Sequence, residues 1–319
     1  MIEIPSFMKI GLDILGGDFA PEANILGAIL ASKELPDDAQ IVLIGDKTQI
    51  EEQLEHHGAD VNDFEIIHAP DVITMRDHPT RAIPQKPNSS ISVGFDKLAK
   101  GEINAFASTG NTGAMLVGSI YKLNTVPSII RPCITSVLPT INGSNSILLD
   151  VGANADCKPD ILHQFAILGS LYSEHVFGIK SPKVGLLNIG EEAEKGNLLT
   201  IATHKLLKEA DDTNFIGNVE GRDLFTGVAD VVVCDGFTGN VVLKEAEALY
   251  ELLKKRGIQD DYFDRFNYEN YGGTPVLGVN GNVIIGHGIS NEIAVKNMVV
   301  LSYNVAKSGL AKRIKEAFN

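Results

Sequence analysis

An α/β fold on a largely parallel sheet is predicted by three observations. Short apolar runs alternate with helix-like segments from end to end of the 319 residues. The opening βαβα rhythm is the one that parallel strands with helices on both sides produce. Four apolar runs also break into glycine-rich turns, each followed by a helix-like segment: FASTGNTGA (106–114), LLDVGANAD (148–156), LLNIGEEAEKGN (186–197) and VVVCDGFTGNVVLK (231–244).

The elements follow in order. MKIGLDIL (8–15) reads as the first buried strand, and residues 21–35 as a helix with proline near its start. IVLIGD (41–46) and FEIIHAP (64–70) are the next strands, with a helix over 48–57 between them. The proline-punctuated stretch 73–90 is the longest irregular segment and carries Arg76, Arg81 and Lys86. A helix over 89–100, a strand over 105–108 and a helix over 112–123 resume the pattern. CITSVLPT (133–140) and SILLDVG (146–152) flank Asn142-Gly143, which predicts a hairpin and the start of a second lobe. A long helix from Pro159 to about Phe177 leads to strand KVGLLNIG (183–190), a helix over 198–210 and strand FIGNVE (215–220). VADVVVCDG (228–236) is a buried strand, 240–255 a helix, NVIIGHG (282–288) the last strand, and 291–318 a helix or helix pair. With no repeat, low-complexity tract or clear linker, the chain reads as one domain of two interlocked α/β lobes, 1–319.

Composition excludes several function classes. With 44% hydrophobic and 21% charged residues the chain can bury a sizeable core. A net charge of −14 argues against nucleic acid as a partner. Three separated cysteines, Cys133, Cys157 and Cys234, give no disulfide framework or paired metal motif and point to a reducing cytosol. The N-terminal residues lack a signal-peptide pattern, and no apolar run is long enough to span a bilayer, so a soluble intracellular protein is predicted.

No usual nucleotide fingerprint is present. LGGDFAP after the first strand is not GxGxxG, and no GxxxxGK[ST] occurs. The glycine-rich turns are instead suited to a small anion, because glycine lets amides approach a ligand and helix N-termini carry partial positive charge. In STGNTGA, Ser108, Thr109, Gly110, Asn111, Thr112 and Gly113 converge on a helix start; an N-cap and tight turn explain the same residues. Asp150, Asn154 and Asp156 surround the second turn as metal ligands or as capping residues. Lys195 lies in a charged run framed by glycines, and Asp235, Thr238 and Asn240 follow the fourth strand. His287, between glycines at a strand end, is an acid/base or anion-contact candidate, the alternative being a simply hydrogen-bonded ring. The cysteines lack a visible activating partner and read as packing thiols.

Together these strings resemble the bacterial acyl-carrier-protein:phosphate acyltransferases, the PlsX family. The resemblance covers nearly the whole chain, through LDILGGDFAP (12–21), NSS (88–90), ASTGNTGA (107–114), LLDVGANADCKP (148–159), LLNIGEEAEKGN (186–197), GNVEGRDLF (217–225), CDGFTGNVVLK (234–244), NYENYGGTPVLGVNG (267–281) and IIGHGISN (284–291). It implies reversible transfer of a long fatty acyl group from acyl carrier protein to inorganic phosphate. The acyl phosphate formed feeds phospholipid synthesis through the membrane glycerol-3-phosphate acyltransferase. It also implies a homodimer, no organic cofactor, and a three-layer α/β/α fold similar to isocitrate and isopropylmalate dehydrogenases and phosphate acetyltransferases; no residue is assigned to a metal.

On that reading, Ser89, Ser90, Ser108, Thr109, Gly110, Asn111, Thr112, Gly113 and Lys195 cradle phosphate, with Gly17, Asp18, Asp150 and Asn154 in the substrate-binding set. His287, Asn188 or Asn218 polarises the thioester carbonyl, and Asp235, Thr238 and Asn240 shape the cleft floor. A loop that in many relatives reads like ALRRKKDSS is here AIPQKPNSS, so of its basic residues Lys86 remains. The helical segment after GNVVLK is short and mostly charged, which predicts weak membrane attachment except through a partner. Acyl carrier protein is acidic; Lys254, Lys255 and Arg256, or Lys307, Lys312, Arg313 and Lys315, are the docking candidates, with ordinary helix C-terminal charge as the alternative. Two rivals are an NAD-dependent decarboxylating dehydrogenase, which needs an arginine cluster and metal aspartates, and a non-catalytic phosphate or acyl-phosphate sensor.

Overall fold

The computed structural model describes residues 5–319, which divide into two compact units, 5–126 with 268–315, and 127–267 with 316–319. In chain order the first unit opens with β1 (Met8–Asp13), α1 (Glu22–Ser32), β2 (Ala39–Gly45), α2 (Lys47–His56), β3 (Glu65–His68), α3 (Pro79–Gln85), α4 (Ser90–Ala99), β4 (Ala105–Ser108) and α5 (Thr112–Leu123). The second holds β5 (Cys133–Pro139), β6 (Asn145–Leu149), α6 (Pro159–Val176), β7 (Lys183–Asn188), α7 (Leu198–Glu209), β8 (Asn214–Glu220), β9 (Val231–Val233), α8 (Gly236–Lys255) and α9 (Asp261–Asp264). The chain returns to the first unit with β10 (Thr274–Leu277), β11 (Asn282–Ile285) and α10 (Glu292–Lys307), and closes with α11 (Leu310–Ala317).

In the first unit the strands run in the order β3-β2-β1-β4-β11-β10, all parallel except β10. β1 sits centrally, with Ile10 opposite both Ile41 and Ala105. β4 is buried at every position, so both sheet faces are covered. One helix group is α1, α2 and α10; the other is α3, α4 and α5. Ile10, Leu12, Leu43, Ile44 and Phe106 are fully buried, each contributing on the order of 2 kcal/mol of transfer free energy. The second unit orders its strands β5-β6-β9-β7-β8, with β5 antiparallel to β6 and the rest parallel. The α/β class and the largely parallel pairing are those the sequence predicts.

Three elements differ from expectation. The 73–90 stretch contains α3: Pro79 occupies its first turn, where no amide is required, and Ala82 and Ile83 are buried beneath it. α8 begins at Gly236 instead of Asn240, because Asp235 accepts the Thr238 amide at 2.9 Å and nucleates the turn. β10 was not anticipated. Its four residues include Pro275 and lie between Gly272-Gly273 and Gly278, so local propensity reads as loop while antiparallel pairing with β11 supplies the strand.

Candidate active site

In each unit the candidate residues gather where parallel strands end and helices begin, the usual place for ligands in open α/β sheets. In the first unit these are the C-terminal ends of β1, β4 and β11. Asp13, the last residue of β1, is fully buried, and its Oδ2 accepts the Ser108 hydroxyl at 2.6 Å. Ser108 Oγ in turn accepts the Gly110 amide at 2.9 Å. Thr109 donates to the Gly16 carbonyl at 2.9 Å, and Asn24 donates to the Ile14 and Gly16 carbonyls. The third loop joins through Asp18 N–H to Gly288 C=O at 2.7 Å and Gly286 N–H to Ser108 C=O at 2.9 Å. His287, half-buried there, packs against Tyr268 with ring centroids 4.9 Å apart.

The glycines of these turns admit neighbouring backbone. A Cβ on Gly16 would lie 2.5 Å from Asp13 Oδ2 and 2.7 Å from the Gly110 nitrogen. Gly17 has φ +94°, and a side chain there would also strike Thr109 Oγ1 at 2.7 Å. Ser89 and Ser90 are buried as well. The Ser89 hydroxyl bonds Lys86 C=O and Ser92 Oγ at 2.8 and 2.9 Å, and Ser90 bonds Asp13. The hydroxyls of Ser89, Ser90, Ser108 and Thr109 thus face the protein, shaping the turn from beneath. Asn111 caps α5 through the Ala114 amide and ties down the 74–77 loop through two bonds from Nδ2. Thr112 is exposed and Gly113 half-buried; as the first residues of α5, their amides have no intrahelical acceptor. Lys86, the remaining basic residue of its loop, is taken up locally by Asp77 at 2.7 Å and Val72 C=O at 2.9 Å. That bond holds the Asp77 carboxyl below the usual range.

Asp13 escaped the sequence analysis. Its one signal was an acid inside the apolar string GLDIL. Burial pushes its carboxyl above the usual range, against hydrogen bonds from Ser108, Ser90, Leu15 and Gly16 that pull it down.

In the second unit, three of the four glycine-rich turns lie at the ends of β6, β9 and β7, which are neighbours. Asp150, also fully buried, accepts N–H groups of Ile134 (2.9 Å), Ala153 (3.3 Å) and Asn154 (2.6 Å), and Asn154 Nδ2 at 3.0 Å. Its oxygens are therefore occupied by amides. Among the described residues no group of three or more His, Cys, Asp or Glu is placed to hold a metal ion. Asp235 binds Thr238 through both amide and hydroxyl, and Asn240 Nδ2 reaches Val151 C=O at 3.2 Å.

Asn188 and Asn218 both serve the 190–197 loop. Asn188 donates to Lys195 C=O at 3.0 Å and Asn218 to Glu192 C=O at 2.9 Å, while the Asn218 carbonyl meets His204 Nδ1. The loop presents an exposed Lys195 whose ammonium makes no ion pair among the described residues. Cys133 and Cys234 are buried, and burial together with Asp150 and Asp235 pushes Cys157 up to about 11. None of the three is a thiolate nucleophile at neutral pH.

A model of the family described as fatty acid synthesis protein matches residues 8–258. Phosphate acyltransferase of Dictyoglomus thermophilum is 41% identical, with 98% of both chains covered, and that of Desulforamulus reducens is 44% identical, with 97% of both covered. Among solved structures, a phosphotransacetylase from Streptococcus pyogenes superposes with TM-score 0.66 over 95% of both chains at 16% identity. A branched-chain phosphotransacylase from Enterococcus faecalis gives TM-score 0.61 at 13% identity, covering 94% of this chain and 99% of its own. At those identities the likeness is one of fold.

Proposed function

The chain belongs to the phosphate acyltransferase family and moves an acyl group to phosphate; from that premise we propose that its donor is a long-chain acyl thioester of acyl carrier protein. The observation that carries this reading is near full-length identity of 41–44% to phosphate acyltransferases, together with the glycine-rich strings lying at strand ends in this chain. The product, an acyl phosphate, would then feed a glycerol-3-phosphate acyltransferase in phospholipid synthesis, with the enzyme acting as a cytoplasmic homodimer.

The chemistry asks for little beyond positioning. Phosphate is already anionic near neutral pH, and a thiol with a free pKa of about 8.5 leaves with little acid assistance. No covalent acyl-enzyme is needed, in keeping with three protonated cysteines. The amides of Thr112 and Gly113, with the Thr112 hydroxyl, form the phosphate contact, and the α5 N-terminus adds its partial positive charge. His287 polarises the thioester carbonyl. Asn188 and Asn218 act by holding the loop on which Lys195 is exposed. Asp150, Asn154, Asp235, Thr238 and Asn240 form the scaffold on which α8 stands. For carrier docking, Lys307 is already paired with Asp38 at 2.5 Å, so the exposed Lys254, Lys255 and Arg256 at the end of α8 are the preferred patch. Among the described residues no helix is long and apolar enough to cross a membrane.

Purified protein given acyl carrier protein thioester and inorganic phosphate is expected to form acyl phosphate, trapped as hydroxamate and followed by phosphorus NMR. Turnover of the coenzyme A thioester alone would move the donor assignment away from acyl carrier protein. Lys195→Ala is expected to raise the phosphate KM by on the order of tenfold, the loss of one charge-assisted contact. An unchanged KM in a folded variant removes Lys195 from the substrate contacts.

A further inference from the structure

We infer that Asp13 is a positioning residue for phosphate, acting through Ser108 to fix the turn that presents the Thr112 and Gly113 amides. The inference rests on the phosphate reading of that turn.

Asp13 has an unusual set of partners. Its carboxylate is fully buried, yet its hydrogen-bond partners are hydroxyls and amides: Ser108 Oγ at 2.6 Å, Leu15 N–H at 3.0 Å, and Ser90 and Gly16. No cation is among them. Burial of an uncompensated carboxylate is costly, and its hydrogen bonds offset only part of that. Such a group persists where its acceptor geometry is needed.

Counting donors and acceptors shows what that need is. A carboxylate accepts at both oxygens and donates at neither. Because Asp13 accepts the Ser108 proton, the Ser108 oxygen is left to accept the Gly110 amide at 2.9 Å. Gly110 N–H is thereby turned inward, and the Asn111 cap that follows starts α5 with the Thr112 and Gly113 amides as its first N–H groups, which have no intrahelical acceptor. The same carboxylate holds Leu15 and Gly16, and so the loop carrying Asp18, whose amide anchors Gly288 beside His287. One buried acid thus sets the register of three loops. An amide at position 13 keeps the shape but places N–H donors toward one set of partners. With the nitrogen toward Ser108, that hydroxyl would have to accept where it now donates, in competition with Gly110; with it toward Leu15, two N–H donors would face each other.

The test is a double-mutant cycle of Asp13→Asn and Ser108→Ala, read as phosphate KM and kcat for acyl-phosphate formation. Each single variant is expected to raise the phosphate KM on the order of tenfold while kcat changes less than about twofold. The double variant should be no worse than the more affected single, because both remove the same relay. A phosphate KM within about twofold of the parent for either folded single variant overturns the inference, as does a double effect equal to the product of the singles. Should Asp13→Asn not fold, Ser108→Ala alone decides, since it cuts the relay from the other side with a small change in volume. Crystals of the parent soaked in inorganic phosphate separate the two levels. An anion on the Thr112 and Gly113 amides with normal KM in the variants ends the role of Asp13 only. An anion bound elsewhere ends the phosphate reading of the turn, and the inference with it.

Discussion

Gly239→Ala is expected to lower the melting temperature by on the order of 10 °C and to remove most activity at the parent's working temperature. Gly239 lies in the first turn of α8, and a Cβ there would fall onto the carbonyl oxygen of Asp150, with Cys234 Sγ at 2.9 Å. The obstacle is backbone, so no side-chain rotation relieves it. Nor can α8 back away freely. Gly236 N–H donates to Asn154 C=O at 2.7 Å, and Asn240 reaches Val151 C=O, so the helix start and the 150–154 turn are bolted together. Overpacking of this kind costs about 3 kcal/mol at the upper end of its usual range, and at this chain length each kcal/mol moves the transition by about 2–4 °C. Gly221→Ala is the control, because its added Cβ meets nothing within 4 Å. Calorimetry of the two variants decides the matter, and a Gly239→Ala transition within about 2 °C of the Gly221→Ala one would show that the close approach is dispensable.

That clash also explains what the sequence could and could not convey. Glycine-rich strings after apolar runs marked the right places, the ends of β4, β6, β7 and β9. Their most direct reading is backbone opened toward a ligand; the folded chain shows a different reason for glycine. Gly16 faces the Gly110 backbone, Gly236 faces Asn154, and Gly239 faces Asp150, so these residues first let loops meet one another. Such pairings join positions far apart in the chain and leave no local trace.

Local signals worked where local physics decides. The helix over 112–123 was legible to the residue, since Asn111 supplies a cap and the apolar spacing continues behind it. α3 was hidden by Pro84, a residue that argues against a helix unless tertiary packing of Ala82 and Ile83 overrides it. Asp13 is the clearest case. Its meaning depends on Ser108, 95 residues away, and a single acid in a strand has no motif. Ser89, Ser90 and Ser108 read from the sequence as hydroxyls that cradle phosphate, and only the folded chain reveals that they bond protein groups instead.

Removing the Asp150 carboxyl should be among the most damaging changes in the second unit. Asp150→Ala strands the amides of Ile134, Ala153 and Asn154 and the Asn154 side-chain N–H, in a site where Asp150 itself has no exposure. Each unpaired buried donor costs about 1–3 kcal/mol, and with partial relief from relaxation and entering water the loss is about 3–5 kcal/mol. Urea unfolding should register it as a fall in midpoint with little change in slope. Asp150→Asn keeps one acceptor and should lose less, with a distinctive pH dependence. Burial raises the Asp150 carboxyl above its usual range despite the amides that lower it, so the folded state holds its proton more tightly than the unfolded chain does. The stability this confers is present in full below the unfolded value, about 4, and is lost as pH rises through the raised folded value. Asparagine does not titrate. The advantage of the parent over Asp150→Asn is therefore expected to be greatest near pH 4 and to shrink toward neutrality, with the other carboxylates cancelling because both proteins carry them. A difference that instead grew with rising pH would mean that the four N–H donors outweigh burial and that the carboxylate, fully charged, is what the turn is built to hold.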